Sequence, residues 1–123
     1  MITVNFKQDE GILESIWEGE VTLEEIVNYI RQTKENSDYP RQLKIITHAH
    51  TSTLLLKPDD LRVIVEENIL SLAKYESITD AFIANEAQVA ALSMLYEKFS
   101  RMKTYKFNVF STAEAALEWL VSM

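Results

Sequence analysis

The chain of 123 residues contains no cysteine and only two glycines and two prolines. Without thiols it forms no disulfide, no thiolate metal site and no cysteine nucleophile. With Gly11 and Gly19 as its only glycines, it lacks the Gly-x-Gly-x-x-Gly and Walker phosphate-binding sequences and the Gly-x-Ser-x-Gly nucleophile turn. The common sequence signatures of nucleotide-binding proteins and of serine hydrolases are therefore absent.

Long apolar runs and an excess of basic residues are also missing. No apolar stretch approaches the roughly 18 residues of a membrane-spanning helix, and the first residues do not resemble a signal peptide. Asp and Glu number 19 against 12 Lys and Arg, which gives a formal net charge of −7. Because such a surface repels phosphate backbones, we expect no nucleic-acid binding. The missing apolar run and signal peptide predict a cytoplasmic protein that does not span a membrane.

The composition is that of one globular domain. Apolar residues make up 47% of the chain, and no linker, repeat or low-complexity segment divides it. A chain of this length buries roughly two-thirds of the surface that it exposes when unfolded. We therefore expect a single domain over residues 1–123.

Hydrophobic periodicity predicts the element order ββαβαβαβα. Residues 2–6 and 12–18 alternate on either side of a turn at Gly11, which predicts an antiparallel hairpin. Helical patterns follow capping-box sequences at Thr22 and Ser111 and a weaker one at Asn85, and Pro58 suits another helix start. The run 54–56 has no clear period and is interpreted as an irregular packed segment or a first helical turn. The expected fold is an α/β domain with a mostly parallel five-stranded sheet, an antiparallel first strand and about four helices.

The stretch from Leu43 to Thr53 is predicted to organise this fold. Residues 43–47 are apolar and β-branched, as in a buried strand, and helical patterns flank them on both sides. Both histidines follow, at the carboxyl end of this strand, where open parallel sheets bind their ligands. Helix starts at residues 19–22, 85 and 111 would line the same edge and attract an anion. We predict a ligand site there that comprises Gly19, His48, His50, Thr51, Ser52, Asn85 and Ser111.

The two histidines admit several interpretations. In an extended segment His48 and His50 point the same way and would hold one metal ion, if a third ligand came from Asp59, Asp60 or Glu66. Either imidazole would alternatively act as a general base for Ser52 or Thr51. A helix cap, a loop hydrogen bond or an ordinary surface position explains them equally. We assign no catalytic residue, no metal and no cofactor.

The alternating strands also predict that helices cover one face of the sheet more fully than the other. A partly open face carrying Trp17 or Leu13 would be a surface for a second copy or a ligand. Alternatively, the long second helix folds over that face.

Two segments resemble the SpoIIAA-like (STAS/SEC14-type) proteins. Residues 18–25, EGEVTLEE, are similar to the strand-end glycine and acidic helix start of that family, and residues 109–120, VFSTAEAALEWL, to its last strand and helix. The resemblance implies a sheet in sequential strand order whose βα units wind as a superhelix. In the anti-anti-sigma branch a serine in an Asp-Ser-x-Gly context is phosphorylated. Ser52 is nearest in position, but the aspartate and the glycine are missing.

The family resemblance favours a non-enzymatic protein-interaction or signalling module, with a protein partner or a second copy of the chain. The alternative is a carrier of a small apolar or anionic ligand at the carboxyl edge of the sheet. A histidine-dependent metal enzyme is the third hypothesis. An apolar cavity of roughly 300 Å³ or more would favour the carrier.

Overall fold

The computed structural model describes all residues from Met1 to Met123. Its strands are β1 (Ile2–Lys7), β2 (Ile12–Trp17), β3 (Gly19–Thr22), β4 (Gln42–His48), β5 (Ser52–Leu55), β6 (Ser77–Ile83) and β7 (Tyr105–Phe110). Its helices are α1 (Leu23–Glu35), α2 (Pro58–Ser71), α3 (Val89–Phe99) and α4 (Ala113–Val121), with a short 3-10 turn at Glu86–Gln88. None of the helices combines the length and the apolar character needed to cross a membrane.

Five strands form the main sheet, in the order β1-β2-β4-β6-β7. The first pair is antiparallel and the other three pairs are parallel. Gly11, with φ of +68°, lies in the turn between β1 and β2, a conformation that glycine adopts without steric cost. The predicted α/β fold is therefore confirmed, including its hairpin, its five-stranded sheet and its four helices.

A second, two-stranded parallel sheet was not predicted. β3 pairs with β5, so that Gly19 lies opposite Ser52 and Val21 lies opposite Leu54. The interpretation of residues 54–56 as an irregular segment or a helical turn is wrong for Leu54 and Leu55, which belong to β5. Each strand has only four residues, which is too short for the alternation that identifies a strand in a sequence.

The predicted helix starts are confirmed in three cases and wrong in a fourth. Asn85 and Gln88 form the expected capping box, which opens the 3-10 turn before α3. The Thr22 hydroxyl accepts from the Glu25 amide at 3.2 Å, in the expected capping box, and Pro58 opens α2. At α4, however, the cap is Thr112 and not Ser111, and the Thr112 hydroxyl accepts from the Ala115 amide at 3.2 Å. Two adjacent hydroxyl residues both suit the cap, and the start of the helix at Ala113 selects the second.

Helices cover the two faces of the sheet unequally, as predicted. Apolar side chains of α1, α2 and α3 join the larger core cluster on one face, and α4 alone packs on the other face through Ala116 and Leu120. The prediction that Leu13 or Trp17 lies on an open face is wrong. They are 0% and 6% exposed, because these positions of β2 point toward the three helices.

Candidate functional site

The predicted carboxyl edge exists, and β4 is the central strand of the main sheet. β4 ends at His48, and the chain then turns at Ala49–Ser52, where the Ser52 amide donates to the Ala49 carbonyl at 3.0 Å. Because Ser52 opens β5, its pairing with β3 brings Gly19 beside it. The structure thus brings most of the predicted residues to one edge.

Gln88 holds this edge together. Its amide nitrogen Nε2 donates to the carbonyl oxygens of Ala49 and Ser52, each at 2.9 Å, and lies 3.2 Å from Ser52 Oγ. The side chain of Asn85 adds a bond of 2.9 Å to the His50 carbonyl and caps the Gln88 amide. Since Ser52 Oγ also donates to the Ala49 carbonyl, the polar side chains here serve the backbone of the turn.

The two imidazoles are used differently. His48 lies on the face of α4, where its Nε2 is 3.2 Å from Glu14 Oε2, and Glu14 also lies 3.6 Å from the ammonium of Lys7. His50 is exposed in the turn, so the segment is not extended through both residues. No three side chains among His, Asp and Glu are placed to hold a metal ion.

The remaining predicted residues, Thr51 and Ser111, are exposed and make no side-chain hydrogen bond. Ser111 lies just after β7, and Ala84 donates to the carbonyl of Phe110 beside it. The Gln88 network explains Ser52 and Asn85 without a ligand. A role of these seven residues in ligand binding stays a prediction.

A cavity of about 60 Å³ lies elsewhere, between the sheet and helices α1, α2 and α3. Nineteen residues line it, and fifteen of them are hydrophobic. Three of the other four, Thr33, Asn68 and Ser71, donate to carbonyl groups of their own helices. The fourth is Asp80, whose charge makes it the chemically distinctive member.

Asp80 belongs to a buried polar strip on the floor of this cavity. Ser15 on β2 lies opposite Thr47 on β4, and both are 0% exposed. Thr47 Oγ1 donates to Asp80 Oδ1 at 2.9 Å, across the β4–β6 pair. The second carboxyl oxygen of Asp80, Oδ2, receives no hydrogen bond from the protein and is left for another donor.

Burial controls the protonation of Asp80. Removal from water raises the pKa of its carboxyl from 3.8 to about 7, and the hydrogen bond from Thr47 opposes part of this rise. No lysine, arginine or histidine lines the cavity, so no positive side chain compensates the carboxylate. The carboxyl therefore changes its protonation state near neutral pH, well above the range of an exposed aspartate.

A second polar group in the cavity lacks a partner. The hydroxyl of Tyr29, on α1, is buried and makes no hydrogen bond of acceptable geometry. The Ser15 hydroxyl lies within hydrogen-bonding reach in a poor geometry and lowers the Tyr29 pKa, but burial and then Asp80 dominate and raise it. Ser15 Oγ instead accepts from the indole nitrogen of Trp17 at 2.8 Å. An unsatisfied buried hydroxyl is uncommon and costs free energy, which makes it a marker of a missing partner.

Six of the fifteen hydrophobic residues in the lining are aromatic, and their rings contact one another in a continuous series. Tyr29 and Trp17 make an edge contact at 6.1 Å between ring centroids, and Trp17 makes another with Phe82 at 5.3 Å. The series continues from Phe82 to Phe107 at 5.8 Å, and Phe99 joins Phe107 at 5.4 Å and Tyr105 at 4.3 Å. All six residues line the cavity.

An ion pair joins α1 and α2, which form the roof of the cavity. Arg31 on α1 reaches Glu67 on α2 through two nitrogens, with the shortest distance 2.7 Å from Nη2 to Oε1. This bond lowers the pKa of Glu67, against the opposing effect of burial. Because α1 and α2 both supply cavity residues, the pair stabilises the shape of the roof.

Sequence reasoning missed this cavity. Trp17 is 6% exposed and Tyr29 is half-buried, and both line the cavity. The available signal was Asp80, an acid in the middle of the otherwise apolar and hydroxyl-bearing strand ITDAFI. A buried strand with one central carboxyl group indicates a functional position.

Comparison with known proteins adds no name to this geometry. No family model matches the chain, no curated protein matches it, and no solved structure matches it.

Proposed function

We propose that this domain binds a small, largely apolar molecule in the cavity beneath α1, α2 and α3, and that it acts without catalysis. The supporting observation is the pairing of an apolar lining with two polar groups whose hydrogen-bonding capacity is unused, Asp80 Oδ2 and the Tyr29 hydroxyl. Sites for small molecules typically combine a hydrophobic wall with a few such groups. This is the carrier hypothesis, moved from the carboxyl edge to the interior.

The size of the cavity limits the ligand. The expectation that a carrier has an apolar cavity of roughly 300 Å³ or more is not met, since the volume is about 60 Å³, and the carrier is proposed only for a ligand far smaller than a drug-sized one. One water molecule needs roughly 10–15 Å³ of such space, so the cavity accommodates a ligand of about four to six non-hydrogen atoms. At the best observed efficiency, about 1.5 kcal/mol per atom, five atoms give a dissociation constant in the micromolar range.

The experiment is a titration with molecules of this size, followed by protein amide and methyl resonances. We expect shifts concentrated on the residues around Asp80 and Tyr29. Ile64→Phe fills the cavity from α2 and should abolish the shifts, because Ile64 is 6% exposed and lines the cavity. The matched control is Ile69→Phe on the same helix, since Ile69 is 50% exposed and lies outside the cavity. Equal binding by both variants would contradict the proposal.

A second proposal, a protein-interaction or signalling module, is favoured by the uncovered part of the other sheet face. α4 packs chiefly on β4, β6 and β7, and Ile12 is the only residue of β1 and β2 in its buried apolar cluster. Thr3 and Asn5 are exposed there, and Ile16 is half-buried. The sequential strand order and the antiparallel first pair also support membership of the SpoIIAA-like family, and with it a cytoplasmic location.

Native mass spectrometry tests this second proposal. A homodimer predicts two copies per particle, and Asn5→Arg on the uncovered face should convert them to one. The control is Asn28→Arg, on the exposed side of α1. A wild-type protein that is monomeric at every concentration would remove the homodimer from consideration.

A further inference from the structure

We propose that the molecule bound in the cavity is a small organic ammonium ion with a compact alkyl group. This inference rests on the proposed binding function and adds the chemical class of the ligand. Three features of the cavity lining support it: its aromatic rings, the negative sign of its only charge, and the hydrogen-bonding atoms that lack a protein partner.

The aromatic rings of the lining favour a cation. The face of an aromatic ring carries partial negative charge and attracts an ammonium group within about 6 Å of its centre. Six rings line this cavity in an unbroken series from Tyr29 to Tyr105. The other nine hydrophobic residues of the lining are aliphatic and suit the alkyl group of such a ligand.

The charge of the lining selects the same class. Asp80 is the only side chain in the lining that bears a full charge when ionised, and no cationic residue compensates it. A buried carboxylate is costly unless it is paired and hydrogen-bonded. An ammonium ion supplies both the opposite charge and N–H donors for Asp80 Oδ2, whereas an anionic ligand would add repulsion.

The second unsatisfied group completes the site. The Tyr29 hydroxyl has lone pairs that accept a further N–H from an ammonium nitrogen. A hydrocarbon would leave both Asp80 and Tyr29 without partners. An alcohol can donate to Asp80 and accept from the Tyr29 hydroxyl, but it brings no charge to compensate the carboxylate. A primary ammonium has three donors, which matches these two acceptors best.

The pairing has a predictable dependence on pH. Alkylammonium ions stay charged below about pH 10, as the lysine side chain does. The carboxyl of Asp80, with its pKa near 7, must lose its proton to form the pair. The polar residues nearest to Asp80 in the fold are Thr47 on β4, Tyr29 on α1 and Tyr105 on β7. Helix α2 adds the uncharged Asn68 and Ser71 to the cavity lining, and α3 adds only apolar residues. None of these groups titrates between pH 6 and 8, so affinity should rise across this range with the ionisation of Asp80.

Three molecules of matched shape test the inference: isobutylammonium, isobutanol and isobutyrate, titrated by NMR into the full chain at pH 6 and pH 8. We expect isobutylammonium to bind at least about tenfold more tightly than isobutanol at pH 8, and to lose about tenfold between pH 8 and pH 6. Isobutyrate should not bind. Asp80→Asn should remove the preference for the amine while isobutanol still binds, and the control Asp59→Asn, on the exposed first turn of α2, should behave as wild type.

The outcomes separate the two proposals. If isobutanol or isobutyrate binds as tightly as the amine, and Ile64→Phe abolishes that binding, the ammonium inference is overturned while the cavity site stands. An affinity for the amine that is unchanged in Asp80→Asn would also overturn it. If none of the three molecules perturbs the cavity residues even at millimolar concentration, the cavity holds water only and both proposals fail.

Discussion

Thr47 Oγ1 donates a hydrogen bond of 2.9 Å to Asp80 Oδ1, and the two residues lie on neighbouring strands of the sheet beneath three helices. The bond satisfies one carboxyl oxygen, and Asp80 lines a cavity whose other residues are mostly aliphatic and aromatic. The protein therefore keeps a titratable group where a hydrophobic residue would be more stable. Such a cost is expected at a functional position.

Asp80→Asn should stabilise the protein at neutral pH. The unfolded chain releases this proton near pH 3.8, whereas the folded protein holds it until about pH 7. Between these values the folded state binds more protons, so the contribution of Asp80 to the free energy of unfolding falls as pH rises. The stability that Asp80 loses over this range is on the order of 4 kcal/mol, and the loss is complete above about pH 7.

The measurement is urea unfolding of the wild type and of Asp80→Asn from pH 4 to pH 8. We expect the free energy of unfolding of the variant to increase relative to that of the wild type as the pH rises. The other carboxylates contribute equally in both proteins, so the difference reports on Asp80. Parallel stability curves for the two proteins would show that Asp80 is not held in a costly environment.

Thr47→Val should raise the pKa of Asp80 above 7. The substitution preserves shape and removes the hydroxyl that favours the ionised carboxylate. A carboxyl carbon titration by NMR reports this value directly. Thr79→Val is the control, since Thr79 is also buried, at 8% exposed, but lies on the opposite face of β6. A lower pKa in Thr47→Val would contradict the assigned geometry.

Glu67→Gln should lower the thermal midpoint by a few degrees at neutral pH, because it disrupts the two-nitrogen contact with Arg31 between α1 and α2. The pair lowers the pKa of Glu67, so its contribution is present above the unfolded pKa and is lost as the pH falls through the lowered value. Glu66→Gln provides the control, because Glu66 pairs with Arg62 at 3.9 Å on the exposed surface of the same helix. Equal midpoint changes for both variants would argue against a special role of the roof contact.

Gln88→Ala should cost about 1–2 kcal/mol, because it removes the donor shared by the carbonyl oxygens of Ala49 and Ser52. The cost stays moderate because the Ala49 carbonyl keeps its bonds from Ser52, and the Ser52 carbonyl keeps its bond from Asn85. Amide exchange at residues 49–52 should accelerate at the same time. Glu86→Ala, at an exposed position in the same 3-10 turn, serves as the control. Unchanged exchange in this turn would mean that Gln88 does not hold the carboxyl edge.

Much of the fold was predictable because its signals are local. The alternation in the first hairpin, the Thr22 capping box and Pro58 each act within a few residues, and each agrees with the structure. The β3–β5 pair was missed because four-residue strands leave too little pattern. The orientation of Trp17 was missed because the register of β2 depends on partners far along the chain.

The cavity was beyond sequence reasoning for a different reason. Its lining residues come from α1, α2, α3, β5 and four strands of the main sheet, so no local pattern marks it. The histidine pair was the more visible chemical feature, yet His48 contacts Glu14 on one face and His50 is exposed in a turn. Asp80 indicated the site, but a single acid in an apolar strand does not reveal the rings around it.

The most direct test is a crystal structure of the protein soaked with isobutylammonium at pH 8. We predict ligand density in the cavity, with the nitrogen within about 3 Å of Asp80 Oδ2 and the alkyl group between the aromatic rings. A cavity that contains only water molecules, or a collapsed cavity with Asp80 bonded to another protein group, would contradict the central claim that this domain encloses a ligand.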